Sequence, residues 1–83
     1  MNPRKKLQKL LSGSKNIRFS EVTVVAEAFG FRLDRVKGSH HIFVHQKVPQ
    51  LINLQNVKGN AKPYQIKQLL SIIEKHNLQI GED

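Results

Sequence analysis

The sequence predicts an α+β fold: a helix, a three-stranded antiparallel sheet and a second helix, preceded by a short basic helix or arm. Two segments, residues 22–29 and 66–73, repeat apolar side chains at the i, i+3, i+4, i+7 spacing of an amphipathic helix. Between them lie three short extended runs separated by turn-forming residues. The chain has 83 residues and no cysteine, enough for one small core without disulfides.

The elements follow in order. Pro3–Leu11 sets Leu7, Leu10 and Leu11 at helical spacing among lysines, and Ser12-Gly13-Ser14 breaks the pattern. This segment reads as a short basic helix or a frayed arm. The next helix has Ser20 as an N-cap, Glu21 in the first turn and Phe19 with Val24 at staple positions. Val22, Val25, Ala26 and Phe29 make its buried stripe, and Gly30 closes it in a left-handed conformation. Its β-branched residues lower intrinsic propensity, so it depends on packing.

The extended runs are residues 31–36, His40–His45 and residues 51–54. Gly38-Ser39 turns the chain between the first pair, and residues 47–50, with Pro49, turn it between the second. Residues 58–62 form a flexible basic loop to the last helix. That helix opens on Pro63, buries Ile66, Leu69, Leu70 and Ile73, and ends at Asn77-Leu78. One face of a three-stranded meander covers both helices, which is the arrangement of a double-stranded-RNA-binding domain. The expected division is one domain over residues 1–83, with a basic N-terminal segment 1–18, a core 19–78 and a tail 79–83.

Charge is the strongest global feature. Fourteen Lys and Arg face six Asp and Glu, a formal +8, and no acid precedes Glu21. Such a field attracts polyanions, of which nucleic acid is the commonest in a cytosol. An acidic protein partner is the alternative. One Tyr and no Trp argue against a broad aromatic platform for single strands. No apolar run approaches the roughly 18 residues of a membrane span. Arg4-Lys5-Lys6 followed by leucines begins like a signal peptide, but Lys9 interrupts it. No membrane association is expected, and the expected location is cytoplasmic.

Polar chemistry is densest at Arg35-Val36-Lys37-Gly38-Ser39-His40-His41. The run Gly38-Ser39-His40-His41, after a short strand that follows Gly30-Phe31, resembles the motif of HicA toxins. The order of elements is similar too, over residues 19–78 or so. The resemblance implies the toxin of a toxin–antitoxin pair: an endoribonuclease acting on mRNA, held in check by a HicB-like antitoxin. It implies His40 as the catalytic residue. The basic N-terminal segment up to Arg18 is unusual for the family, and two further stretches depart from its pattern. Residues 53–60 replace a Gly-rich segment or second His, and Lys62-Pro63-Tyr64-Gln65-Ile66 stands where many members read Lys-Pro-Gly-Thr-Leu.

The chemistry suits that assignment. Metal-independent RNA cleavage uses the 2′-OH as nucleophile, so one group must accept its proton and another must protonate the leaving oxygen. An imidazole does this near neutral pH. Arg32, Arg35 and Lys37 can supply charge to the developing phosphorane, and Gly38 and Ser39 allow phosphate to approach the backbone. Lys37, His41, a second subunit or water could fill the second proton-transfer role. A lone His beside a turn is ordinarily a surface residue; the resemblance is what reverses that reading here.

Alternation along a strand puts His41, Phe43 and His45 on one face and His40, Ile42 and Val44 on the other. If His40 is exposed, His41 lies inward as a hydrogen-bonded residue, unless a bulge near Gly38 breaks the parity. The histidines lack a matching cluster of acids, so no metal or other cofactor is expected. His76 is assigned no role. A non-catalytic RNA-binding module of the same fold is the competing reading.

Overall fold

The computed structural model describes residues 2–81; Met1 and the last two residues of the expected tail lie outside the described residues. The elements are α1 (Pro3–Leu11), α2 (Phe19–Ala28), β1 (Arg32–Lys37), β2 (His40–His45), β3 (Val48–Gln55) and α3 (Pro63–Lys75). The three strands form one antiparallel sheet in the order β1-β2-β3. The architecture is therefore the expected α+β sandwich, with an N-terminal helix added.

The basic segment is a helix. Asn2 caps it by accepting the backbone N–H groups of Arg4 and Lys5 at 3.0 and 3.4 Å, and Pro3 occupies a first-turn position. Leu10 enters the core, whereas Leu11 stays in solvent. α2 starts two residues earlier than Ser20 as N-cap predicts. Arg18 is its N-cap, and the Glu21 carboxylate reaches back to accept the Arg18 backbone N–H at 2.9 Å. Ser20 cannot cap because it already lies inside the first turn. Val22, Val25, Ala26 and Phe29 are all buried, as expected.

Both long helices end in the same way. Gly30 has φ of +95°, and the N–H groups of Gly30 and Phe31 bond to the carbonyls of Glu27 and Ala26. Asn77 has φ of +51°, and Asn77 and Leu78 bond to Glu74 and Ile73. These are Schellman closures, and in each the following apolar residue, Phe31 or Leu78, is buried.

The sheet differs from expectation at the second turn. The β2–β3 connection is the two residues Gln46-Lys47, and β3 begins at Val48, so Pro49 lies within a strand. β3 is an edge strand, where a residue without an N–H is tolerated. Phe31 closes α2 rather than starting β1. The loop over residues 58–62 is not loose, because backbone bonds tie it to the entry of α2. Phe19 N–H donates to Gly59 O at 2.9 Å and Ala61 N–H to Ile17 O at 3.0 Å, while the Asn56 side chain accepts from Gly59 N–H at 2.7 Å.

Glu21 joins α1 to α2. Besides the Arg18 N–H, its nearly buried carboxylate meets Lys9 Nζ at 3.0 Å and Lys6 Nζ at 3.2 Å. The backbone bond from Arg18 and then the Lys9 ammonium hold its pKa down at about 2, below an ordinary value of 4.5. A depressed folded-state pKa gives stability that is complete above the unfolded value and is lost as pH falls through the folded one. Glu21→Gln should therefore lower stability by about 1–3 kcal/mol at neutral pH. Urea unfolding of both proteins should show the difference shrinking between pH 4.5 and about 2.

Candidate functional site

Strand β2 sorts the histidines. Phe43 and His45 are buried against the helices, at 2% and 4% exposure. By alternation His41 shares their side and His40, Ile42 and Val44 take the other, uncovered face. His41 packs on Phe19, ring centroids 4.6 Å apart, and its Nδ1 lies 3.2 Å from Ser39 O. It is thus an inward, hydrogen-bonded residue, separated from His40 by the sheet itself. His45 is structural: its Nε2–H donates to Phe29 O at 2.9 Å, and its Nδ1 accepts from Lys47 N–H at 3.0 Å. Both ring nitrogens are thereby used by the neutral imidazole, which also sets the tight Gln46-Lys47 turn.

The cations follow from strand register. Lys37 stands opposite His40, Arg35 opposite Ile42 and Arg32 opposite Val44. Cross-strand partners share a face, so all three cations lie on the His40 side. Simple alternation would place Arg32 and Arg35, three residues apart, on opposite faces. The register shift between Leu33 and Arg35 inserts Asp34 as an extra residue and restores Arg32 to the same side. All six β1 residues are exposed. The Arg35 guanidinium meets its neighbour Asp34 at 2.6 Å, a surface pair that a stronger anion can displace.

The turn is built as the sequence predicts. Gly38, with φ of +61°, and Ser39 form a two-residue hairpin loop, and nothing lies within 4 Å of where a Gly38 Cβ would stand. Ser39 O accepts Asn56 N–H at 2.9 Å, and Ser39 Oγ accepts from Gln55 Nε2 at 3.3 Å. The motif is therefore anchored on β3 as well as β1.

One residue that sequence reasoning missed touches His40. Asn53, diagonally across from it on β3, places its amide oxygen 3.1 Å and its nitrogen 3.0 Å from His40 Nδ1. An oxygen accepting from Nδ1–H leaves a lone pair at Nε2; a nitrogen donating to Nδ1 leaves a proton there. The same neighbour supports both states. The only signal in the sequence was a polar residue alternating with Ile52 and Leu54, which strand pattern alone explains. Among the described residues no hydrogen bond reaches His40 Nε2, and no three acids or histidines gather as metal ligands.

A model described as the HicA toxin of bacterial toxin-antitoxin matches residues 19–77, more than half of the chain. The chain belongs to the HicA toxin family. It is the toxin component of a toxin–antitoxin pair, and an antitoxin is its partner. No curated protein matches it. The match begins where α2 begins, so α1 of this HicA toxin, docked through Lys6 and Lys9 on Glu21, lies outside it. No helix among the described residues is long and apolar enough to cross a membrane.

The two best-defined imidazoles should separate cleanly on mutation. His45→Ala opens a cavity and strands the Phe29 carbonyl and the Lys47 N–H, which costs about 2–4 kcal/mol. His40→Ala, on the open face, should cost under about 1 kcal/mol. Chemical unfolding midpoints of the two variants provide the check.

Proposed function

We propose that this HicA toxin is a metal-independent endoribonuclease that cleaves mRNA with His40 as its catalytic residue. The observation that carries the reading is the shared face: a half-buried imidazole with one nitrogen held by Asn53, flanked on the same side by Lys37, Arg35 and Arg32. A phosphodiester lying along that face meets cations on β1 and a proton acceptor on β2.

In this reading His40 Nε2 takes the proton of the 2′-OH, whose oxygen attacks the adjacent phosphorus. The phosphorane gathers charge, which Arg35 and Arg32 stabilise. The bond from phosphorus to the 5′ oxygen then breaks, giving a 2′,3′-cyclic phosphate and a 5′-hydroxyl. In-line displacement puts the nucleophile and the leaving oxygen on opposite sides of phosphorus. A second group must therefore donate the proton to the leaving oxygen. Lys37, directly across from His40, is the side chain on this face placed for it. His41 is unsuited because its ring lies on the helix side against Phe19. Gly38 and Ser39 shape the turn that brings the phosphate backbone close. A HicB-like antitoxin inhibits by covering the His40 face, and both act in the cytoplasm. The domain layout expected above, a core over 19–78 with basic residues 1–18 added, suits this division: the core holds the site and the extra segment braces it.

His40→Ala should abolish cleavage and growth arrest while circular dichroism and melting stay near wild type. A 2′-deoxy substitution at the scissile position should stop cleavage and scarcely alter binding, and EDTA should have no effect. Binding without any cleavage by the wild-type protein would instead identify a non-catalytic RNA-binding module.

The cationic face gives an independent check. Changing Arg32, Arg35 or Lys37 singly to Gln should weaken binding of single-stranded RNA. The log–log salt dependence should flatten by about 0.7 for each phosphate that the variant no longer neutralises. Affinity titrations across a range of salt concentrations measure that slope.

A further inference from the structure

The start of α3, where this chain departs from the common family pattern, is wired to the same turn. Gln65 is buried at 2% exposure, its Oε1 accepts the Gln55 backbone N–H at 2.7 Å, and its Nε2 lies 3.4 Å from Tyr64 Oη. Gln55 stands opposite His40 in the register and donates through its own side chain to Ser39 Oγ. A buried amide thus fixes the first turn of α3 relative to the strand residue facing His40. Tyr64 itself is 55% exposed, with Lys62 Nζ 5.9 Å from its ring centroid. The contacts run from His40 across the register to Gln55, from Gln55 to the Gln65 amide, and from that amide to Tyr64.

A large, half-exposed ring with a flexible ammonium 5.9 Å over it is an arrangement on which an unpaired base stacks once the ammonium turns from the ring to the phosphate. We propose that Tyr64 and Lys62 form a stacking site for a single unpaired nucleobase, adjoining the phosphate-binding face of His40. The proposal rests on the RNA-cleaving reading and adds to it a substrate preference for unpaired RNA, since a base within a duplex is not free to stack on protein. The ring provides one stacking position rather than a platform, which agrees with a chain that has one Tyr and no Trp. Loop residues 58–62, tied to the entry of α2 by backbone bonds, bring the further cation Lys58 to this end of the sheet.

The composition also supplies the test. With one Tyr and no Trp, intrinsic emission of the wild-type protein comes from Tyr64. The protein is titrated with a short, unstructured, fully 2′-O-methylated RNA, which it cannot cleave by the 2′-OH route, and separately with inorganic polyphosphate. The RNA should quench Tyr64 emission in step with binding measured by anisotropy, and polyphosphate should bind without quenching. Tyr64→Phe should keep affinity within about twofold, whereas Tyr64→Leu should lose about 5- to 100-fold with its melting temperature unchanged. RNA that binds with Tyr64 emission unaltered, equal quenching by polyphosphate, or full affinity in a folded Tyr64→Leu variant would each overturn the stacking site. Cleavage of an unmodified oligonucleotide, followed in parallel, separates the two claims. Quenching without cleavage removes the ribonuclease and leaves the stacking site, and cleavage without quenching does the reverse. RNA that does not bind at all removes both.

Discussion

Everything at the candidate site depends on which way the side chains of β2 point. Phe43 is a core residue, and His45 spends both ring nitrogens on buried backbone groups, so the inward face of the strand is settled by packing and hydrogen bonding together. A slip of one residue would expose Phe43 and strand the Phe29 carbonyl, which costs several kcal/mol in a domain this small. With that face fixed, His40 has to look outward. The catalytic proposal therefore rests on residues three and five positions away that do no chemistry. The bulge at Asp34 extends the same constraint to β1, carrying Arg32 onto the face that Arg35 and Lys37 already occupy.

Glu21 plays a comparable part among the helices and alters how the net charge is to be understood. A count of +8 treats all cations as equally available to a polyanion. Yet Lys6 and Lys9 are directed at a carboxylate that stays ionised in the folded protein to about pH 2, so they brace α1 on α2. Among the other cations, Arg32, Arg35 and Lys37 stand on the outer sheet face and Lys58 and Lys62 around the loop before α3. These two regions meet at the Ser39–Gln55 contact. The field is thus directional in a way that composition cannot express.

The fold was legible because its signals are local. Helical periodicity marked the buried stripes of α2 and α3, Gly30 and Asn77 marked their ends, and Gly38-Ser39 marked a hairpin; each depends on residues within a few positions of one another. Misreadings arose where a longer-range partner decided the outcome. Ser20 has the right chemistry for a cap, but Glu21 bonds to the Arg18 N–H and moves the helix start. Pro49 looks like a turn residue, and only its place on an edge strand shows why it is tolerated. Asn53 and Gln65 gave no functional signal at all, since their partners His40 and Gln55 lie 13 and 10 residues away. The family motif brought His40 into view, but neither the residue that holds it nor the bulge that gathers its cations could be read from that motif.

A division of labour follows from the geometry. On the proposed mechanism the chemistry is confined to an open face, on which no hydrogen bond among the described residues reaches His40 Nε2. On the same proposal an inhibitor covers that face, where the half-buried Ile42 and Val44 beside His40 offer apolar contact at its centre, with Arg32, Arg35 and Lys37 along one side. In such a patch the charged side governs the rate of encounter and the apolar centre governs residence time. The proposed stacking site lies outside this patch, at the start of α3. A substrate spanning both regions can therefore make a contact that a partner confined to the sheet does not. This would let substrate selection change through Tyr64 and Lys62 while the surface presented to the antitoxin stays the same.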